Sequence, residues 1–167
     1  MTPYEETHIT RNGTTLVVEY YYDADSGAPW RECDGHGVVS EWIHRDKKPG
    51  ERVLHADHHM RLYYDVQQTT AIALRDGWGV AGQTFATKRQ QAAAAVEADF
   101  QYLRRWCQDD WFYIGIVVRT EDAAVSHSLW GIESDTTEYH KEIIEELAGQ
   151  CLRQIAGSVY PVDEIGV

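Results

Sequence analysis

The sequence predicts an α+β fold in which an antiparallel sheet packs against two long helices and one short helix. Three observations indicate this class. Residues 111–120 and 124–132 are two largely apolar segments on either side of a short polar turn, which is typical of a β-hairpin. Residues 14–22 are β-branched or aromatic at most positions, which favours a strand. Residues 84–108 and the segment after Asp135 repeat apolar residues at three- and four-residue spacing, which is typical of amphipathic helices.

The sheet is expected to contain three main strands. The first covers residues 14–22, and the turn signal Arg11-Asn12-Gly13 before it predicts a hairpin with the segment around Ile9. The second and third strands are joined by Glu121–Ala124, whose four small or polar residues suit a hairpin turn. We therefore expect residues 14–22, 111–120 and 124–132 to form one antiparallel sheet.

Residues 23–50 are predicted to be an irregular loop, because this segment contains four glycines and two prolines. Its two tryptophans argue against disorder, so we expect an ordered loop. Short strands are predicted at Val38–Ile43, Arg52–His55 and Arg61–Tyr64. We expect these strands to add to the main sheet.

The short helix is predicted to begin after Asp65, which can cap the helix with Gln68 three residues later. It should run to Asp76 and end at Gly77, since glycine readily adopts the left-handed conformation that terminates a helix. The long helix at 84–108 is alanine-rich and has strong helix propensity. Its buried face is predicted to contain Ala92, Val96, Phe100, Leu103 and Cys107.

The final helix is predicted to be capped by Asp135, with Glu138 at the third helical position. Its buried face should consist of Tyr139, Ile143, Leu147, Cys151 and Ile155, which repeat every four residues. The acidic residues of this helix fall largely on its other faces.

The length of 167 residues is typical of one domain, and we expect residues 1–167 to form a single α+β domain. Three cysteines are too few, and odd in number, for a disulfide framework, which favours a reducing compartment. The first residues lack the features of a signal peptide, and no segment is apolar enough to span a membrane. We expect a complete cytoplasmic protein with no membrane partner.

The net charge of −12 is the strongest compositional signal. Residues 111–167 contain ten acidic and three basic residues, so they contribute −7 of this charge. An acidic protein is a poor ligand for nucleic-acid phosphates and a better ligand for a basic protein. The candidate binding residues are Glu138, Glu142, Glu145 and Glu146, and the alternative is that they form only a solvated surface. A weaker alternative is nucleic-acid binding by Lys88, Arg89, Arg104 and Arg105, which can share one stripe of the long helix.

Two sequence clusters contain residue types that bind metals. The candidate ligands are Cys33 and His36 in the first cluster and His55, Asp57, His58 and His59 in the second. Zinc accepts thiolate, imidazole and carboxylate ligands, but the spacing matches no four-ligand module. The alternative is that these histidines are polar turn residues, and we expect no cofactor unless Zn or another divalent metal binds here.

His36 is also a candidate catalytic residue, because glycines on both sides allow close approach of a ligand or a positive φ angle. We expect a nearby acid, Glu32, Asp34 or Glu41, to orient it as a general base, and Asp34 is the second candidate catalytic residue. The alternative is a tight turn with an exposed histidine. The sequence contains no nucleophile elbow, phosphate-binding loop or dinucleotide fingerprint in the required context.

Trp30 and Trp42 lie in the irregular loop and are the tryptophans most expected to be exposed. Tryptophan and arginine together at a surface are the composition of a protein-binding hot spot. The two residues are therefore candidate binding residues.

Three segments between about residues 29 and 150 resemble a group of small proteins encoded by tailed bacteriophages and prophages. These segments are Pro29-Trp30 with Asp34–Gly37 and Val39–Trp42, then Arg45–Leu54, and finally Ser128–Asp135. The group has no established activity, so the resemblance implies no catalytic residue. It implies an accessory phage protein that acts in a bacterial cytoplasm. Small acidic phage proteins include inhibitors of host defence, some of which present carboxylates in place of DNA phosphates.

These observations predict a non-enzymatic accessory protein that binds a host or phage protein. Binding would use the acidic surface of the final helix, the tryptophan-bearing loop, or both. The alternative is a metal-dependent hydrolase or nuclease that uses the histidine-rich region of residues 33–59.

Overall fold

The computed structural model describes residues 1–158 and confirms the α+β class. In chain order, the elements are β1 (Glu5–Arg11), β2 (Thr14–Tyr22), α1 (Pro29–Glu32), β3 (Val38–Trp42), β4 (Glu51–Ala56), β5 (Arg61–Asp65), α2 (Val66–Asp76), α3 (Lys88–Cys107), β6 (Tyr113–Thr120), β7 (Ser126–Glu133) and α4 (Thr137–Ser158). Two acids that contribute to the C-terminal charge, Asp163 and Glu164, lie outside the described residues.

The chain divides into two compact units. Unit 1 consists of Met1–Ser26 and the chain from Phe112 onward, whereas unit 2 is the continuous segment Gly27–Trp111. Each unit contains one antiparallel sheet. The interpretation of residues 1–167 as one domain stays a prediction.

Unit 1 contains a four-stranded sheet in the order β1-β2-β6-β7, with every pair antiparallel. Both predicted hairpins are present. The β1–β2 turn has positive φ angles at Asn12 (51°) and Gly13 (78°), which is the conformation of a tight hairpin turn. β7 begins at Ser126, two residues later than predicted, because the backbone N–H of Thr120 donates to the carbonyl of Val125 and extends the turn.

One face of this sheet packs against α4. The buried side chains are Leu16, Val18, Ile114, Ile116, Val118 and Ile132 from the strands and Ile143, Leu147, Ala148 and Cys151 from the helix. The strand residues alternate along the chain, as expected for one buried sheet face. Complete burial of a large aliphatic side chain contributes about 1.5–3 kcal/mol to folding, so this cluster is the principal core of unit 1.

The predicted start and buried face of the last helix need two corrections. α4 begins at Thr137, one residue later than a cap at Asp135 would place it. Tyr139 is 51% exposed, and His140 is buried in its place. His140 lies three residues before Ile143 on the helix surface, and its Nε2 is 2.7 Å from the carbonyl oxygen of Glu133. A hydrogen bond thus allows a polar ring to occupy this buried position.

Unit 2 contains a separate three-stranded sheet in the order β3-β5-β4. The prediction that these short strands add to the main sheet was therefore wrong. The physical reason is that unit 2 has its own core, formed by Leu54, Leu62, Tyr64, Ala73, Ala92, Val96, Phe100 and Leu103. This core includes four of the five residues predicted for the buried face of the long helix. The fifth, Cys107, is partly buried and packs against it.

The helix boundaries of unit 2 follow local capping rules. A side-chain oxygen of Asp65 accepts the backbone N–H of Gln68 at 2.8 Å, and α2 ends at Gly77 with a φ of 67°, as predicted. α3 begins at Lys88, four residues later than predicted. Thr87 and Gln90 form a complete capping box there, with each side chain accepting the other residue's backbone N–H.

Candidate functional site

A cleft of about 560 Å³ lies beside α3 within unit 2. Its lining comes from the loop before β3, the segment after α2, and α3 itself, and consists of Gly35, His36, Trp78, Gly79, Ala95, Ala98, Asp99 and Tyr102. The lining combines three flat rings, four small residues and one carboxylate, and it contains no lysine or arginine. This volume is within the range of sites for small molecules.

Asp99 is the centre of the hydrogen-bond network at this cleft. One carboxylate oxygen lies 2.7 Å from Nδ1 of His36. The other oxygen accepts the backbone N–H of Gly37 at 2.8 Å and the hydroxyl of Tyr64 at 2.7 Å. The Asp99 side chain is only 9% exposed, so its charge is balanced by these three donors and not by bulk water. Because the carboxylate accepts from His36, Nδ1 carries the proton and Nε2 is an acceptor in the neutral ring.

Tyr64 supports the network from the core of unit 2. Burial raises the pKa of its hydroxyl well above the ordinary value, and the negative charge of Asp99 adds to this effect. The phenol therefore keeps its proton and remains a donor. A Cβ atom at Gly37 would lie 2.5 Å from the Tyr64 ring, so only glycine allows this close approach. At Gly35 the φ angle is +93°, which also favours glycine.

The carboxylate that contacts His36 is Asp99, and none of the three acids expected from the sequence has this position. Asp34 is exposed. Glu32 accepts the N–H of Gly27, and Glu41 forms an ion pair with Arg31. A signal for Asp99 was present, because it lies four residues before Leu103 on the buried side of α3. A carboxylate at an otherwise apolar helical position indicates a buried partner.

The second predicted metal cluster forms the turn between β4 and β5. Nε2 of His55 is 2.9 Å from one oxygen of Asp57, and the other oxygen accepts the backbone N–H groups of His59 and Met60. These contacts, with the His55 contact the largest, hold the pKa of Asp57 well below its ordinary value. The carboxylate thus stabilises a turn, which was the alternative interpretation.

The other predicted metal ligands are not brought together. Cys33 is exposed and caps the C-terminal end of α1, where its N–H donates to the carbonyl of Pro29. His36 contacts Asp99, while His58 and His59 are exposed. Residues 1–158 contain no group of three or more His, Cys, Asp or Glu side chains arranged to hold a metal ion. Metal-dependent hydrolase activity stays a prediction. The described residues provide no assembled set of metal ligands for it.

A second surface of unit 2 exposes large apolar side chains. Trp42, Ile43 and Met60 are 41%, 63% and 39% exposed, and we call these three residues the Trp42 patch. With Glu41 and His59 they line a groove of about 500 Å³. Apolar side chains that are exposed singly are ordinary, but a group of adjacent ones with a polar rim is typical of an interaction site.

The indole of Trp42 is held in place by polar neighbours. The Arg45 guanidinium lies 4.3 Å from the centre of the Trp42 ring, and Nε1 of the indole donates to Ser40 Oγ at 2.9 Å. Both terminal nitrogens of Arg45 donate to Glu51, at 3.0 and 2.8 Å. These charge-assisted hydrogen bonds lower the pKa of Glu51. The exposed indole therefore has a defined orientation.

Trp30, the other tryptophan predicted to bind a partner, is used for packing. Its ring meets Trp106 edge to face, with the ring centres 5.4 Å apart. Trp30 is partly buried and packs against the core of unit 2. The structure therefore gives a stronger argument for binding by Trp42 than for binding by Trp30.

The four predicted acidic residues are all exposed on α4 of unit 1. Their surroundings differ. Glu145 forms a two-point ion pair with Arg11, which lowers the pKa of its carboxyl. Glu138 pairs with Lys141 on the same helix, and Glu146 accepts a long hydrogen bond from Gln150. Glu142 is exposed without a described ion pair. The acidic surface is therefore available to solvent, and Glu145 is the residue on it that an ion pair ties to another element.

Comparison with protein-family models, curated proteins and solved structures finds no match to this chain. Among residues 1–158, no helix has both the length and the apolar composition that crossing a bilayer requires.

Proposed function

We propose that this is a non-enzymatic accessory protein that binds a host or phage protein, with the Trp42 patch as its main contact. The observation that carries this proposal is the group of three adjacent, exposed apolar side chains around a fixed indole. Solvation of this group is unfavourable in the free protein, and a partner that covers it would remove that cost. Tryptophan is also the residue most enriched in binding hot spots.

The orientation of Trp42 supports the same function. A side chain that is ordered before binding loses less conformational entropy in the complex. Arg45 stacks on the indole and is itself anchored by Glu51, so the patch needs little reorganisation. The same indole would stabilise the free protein more if it were buried in the core. Its exposed and fixed position is therefore better suited to binding than to core packing.

The acidic surface of α4 supports a basic partner. Glu138, Glu142 and Glu146 are exposed, and the whole chain has a net charge of −12. Exposed charges mainly accelerate association and select the partner, and they contribute less to the final affinity. We therefore assign these residues a steering role and assign the Trp42 patch the larger share of the binding energy.

The resemblance to phage-encoded proteins supports a bacterial cytoplasm as the setting. Inhibition of a host-defence protein is the specific form of this function that we propose. It agrees with an acidic surface, since carboxylates can occupy a site that normally receives nucleic-acid phosphates.

The test is capture of a partner from bacterial lysate, followed by an affinity measurement with the purified partner. We expect Trp42→Ala to weaken binding by about 30-fold or more, the effect of losing a hot spot of about 2 kcal/mol. Leu74→Ala is the matched control, because Leu74 is 41% exposed on α2 and is not part of the patch. Equal affinities of the wild type and Trp42→Ala for a captured partner would refute the role of the patch, as would failure to capture any partner.

The steering role is measured separately, by stopped-flow association kinetics with the same partner. Replacing Glu138, Glu142 and Glu146 with lysine should slow association and make its rate less dependent on salt, with a smaller effect on dissociation. Glu145 is kept, because its reversal would break the ion pair that joins α4 to Arg11 of β1, whereas Glu138 pairs only within α4. An unchanged association rate would mean that this surface is only solvated.

A further inference from the structure

We propose that the cleft beside His36 binds a small, uncharged, planar heteroaromatic molecule whose N–H group donates to Nε2 of His36. This site is distinct from the Trp42 patch and does not depend on the function proposed for that patch. Its lining contains none of the three residues of the patch. The proposal rests on the shape, the hydrogen-bonding polarity and the charge of the cleft.

The shape of the cleft favours a flat ligand. The rings of His36 and Tyr102 are nearly parallel, with an angle of 11° between their planes and a distance of 5.3 Å between their centres. Trp78 is a third flat ring in the lining. The remaining space exists because the other neutral positions are small, namely Gly35, Gly79, Ala95 and Ala98. Because His36 and Tyr102 stack on each other, a planar ligand contacts their remaining faces and edges and the ring of Trp78.

The polarity of the cleft is fixed by Asp99. Both oxygens of its carboxylate already accept hydrogen bonds, from His36 on one side and from Gly37 and Tyr64 on the other. Of the three groups bonded to Asp99, only His36 has a further polar atom for a ligand, namely Nε2, which has no described partner within residues 1–158. Since Nδ1 is the protonated nitrogen, Nε2 of the neutral ring accepts a hydrogen bond. The matching ligand group is a hydrogen-bond donor, which in a heteroaromatic ring is an N–H.

The charge of the cleft favours a neutral ligand. Its lining includes the carboxylate of Asp99 and contains no lysine or arginine. A phosphate or carboxylate group would thus be desolvated near a negative charge without a cationic partner. The predicted class consists of uncharged rings of the indole or nucleobase type, without a phosphate.

The first experiment compares three probes by NMR titration of the ¹⁵N-labelled full chain at pH 8. Indole has the required ring and N–H group, 1-methylindole lacks the donor, and indole-3-acetate adds a negative charge. We expect indole to shift the amide signals of Gly35, Gly79 and Ala98. Both other probes should bind at least about tenfold more weakly than indole. Loss of one hydrogen bond of about 1.4 kcal/mol reduces affinity tenfold.

Concentrations up to about 10 mM are needed, because a ligand with so few atoms binds in the millimolar range at ordinary ligand efficiency. Absence of these shifts with indole would overturn the proposal. Equal affinities for indole and 1-methylindole would also overturn it, because they would exclude a hydrogen bond to His36.

Two pairs of variants locate the site. Ala98→Phe should fill the cleft and abolish the shifts, whereas Ala93→Phe places the same ring on an exposed part of α3 outside the lining. His36→Phe should reduce the affinity for indole to that for 1-methylindole, and His36→Gln should restore part of it because its amide oxygen accepts a hydrogen bond. Full binding of indole by Ala98→Phe, or by a folded His36→Phe variant, would place the ligand elsewhere and refute the proposal.

Discussion

Replacement of Asp99 by alanine should be the most destabilising change to a polar side chain at the cleft. The substitution removes the acceptor for three donors: Nδ1 of His36, the N–H of Gly37 and the hydroxyl of Tyr64. A hydrogen bond to a charged group contributes about 1.5–3 kcal/mol, but His36 is partly exposed and can bond to water instead. The higher helix propensity of alanine offsets about 0.5 kcal/mol of the loss in stability. The two donors that remain, Gly37 and Tyr64, therefore give an expected loss of about 2.5–5.5 kcal/mol in the free energy of unfolding.

The free energy of unfolding is measured by urea titration, with tryptophan fluorescence and circular dichroism as the two signals. Tyr64→Phe should cost about 1.5–3 kcal/mol, because it removes one hydrogen bond to a charged group and leaves the ring packed. Asp34→Asn is the matched control and should change stability by less than about 0.5 kcal/mol, since Asp34 is exposed. The reasoning would be refuted if Asp99→Ala cost less than about 1 kcal/mol, or if Asp34→Asn cost as much as Asp99→Ala.

Two further predictions concern one unit each, the first unit 2 and the second unit 1. Hydrogen bonds from Arg45 lower the pKa of Glu51 from 4.5, so their stabilisation is present above this pH and is lost as the pH falls through the folded-state pKa. Between pH 6 and pH 3 the melting temperature of the wild type should therefore fall more than that of Glu51→Gln, and parallel curves would contradict this. In unit 1, Gly115→Ala should cost about 1–3 kcal/mol, because its Cβ would lie 2.3 Å from the Trp130 ring. A double-mutant cycle should show little of this cost in a Trp130→Ala background, and equal costs in both backgrounds would exclude the clash.

The elements predicted well from the sequence are those specified by a few neighbouring residues. The cap of α2 at Asp65 and its end at Gly77 were located correctly, because both depend on contacts within one helical turn. The β1–β2 hairpin was predicted for the same reason. The start of α3 was placed too early although its capping box, Thr87 with Gln90, is also local and visible in the sequence.

Features that depend on distant residues were missed. Asp99 and His36 are separated by 63 positions in the chain, and no local rule pairs them. The division of the strands between two sheets likewise depends on which apolar faces meet in three dimensions. The error at Tyr139 is smaller in origin, since the residues three and four positions before Ile143 both lie near its side of the helix, and burial falls on His140.

The order of strands in unit 1 has a consequence for synthesis of the protein on the ribosome. β2 pairs with β6, and the side chains of Glu19 and Arg119, which bond across this pair, are 100 residues apart. At about 5–20 residues per second, the ribosome completes β2 roughly 5–20 s before its partner is available. During this interval the apolar face of the β1–β2 hairpin lacks β6 and α4, while all of unit 2 is being made. The nascent chain is therefore most exposed to aggregation and to chaperones through the β1–β2 hairpin.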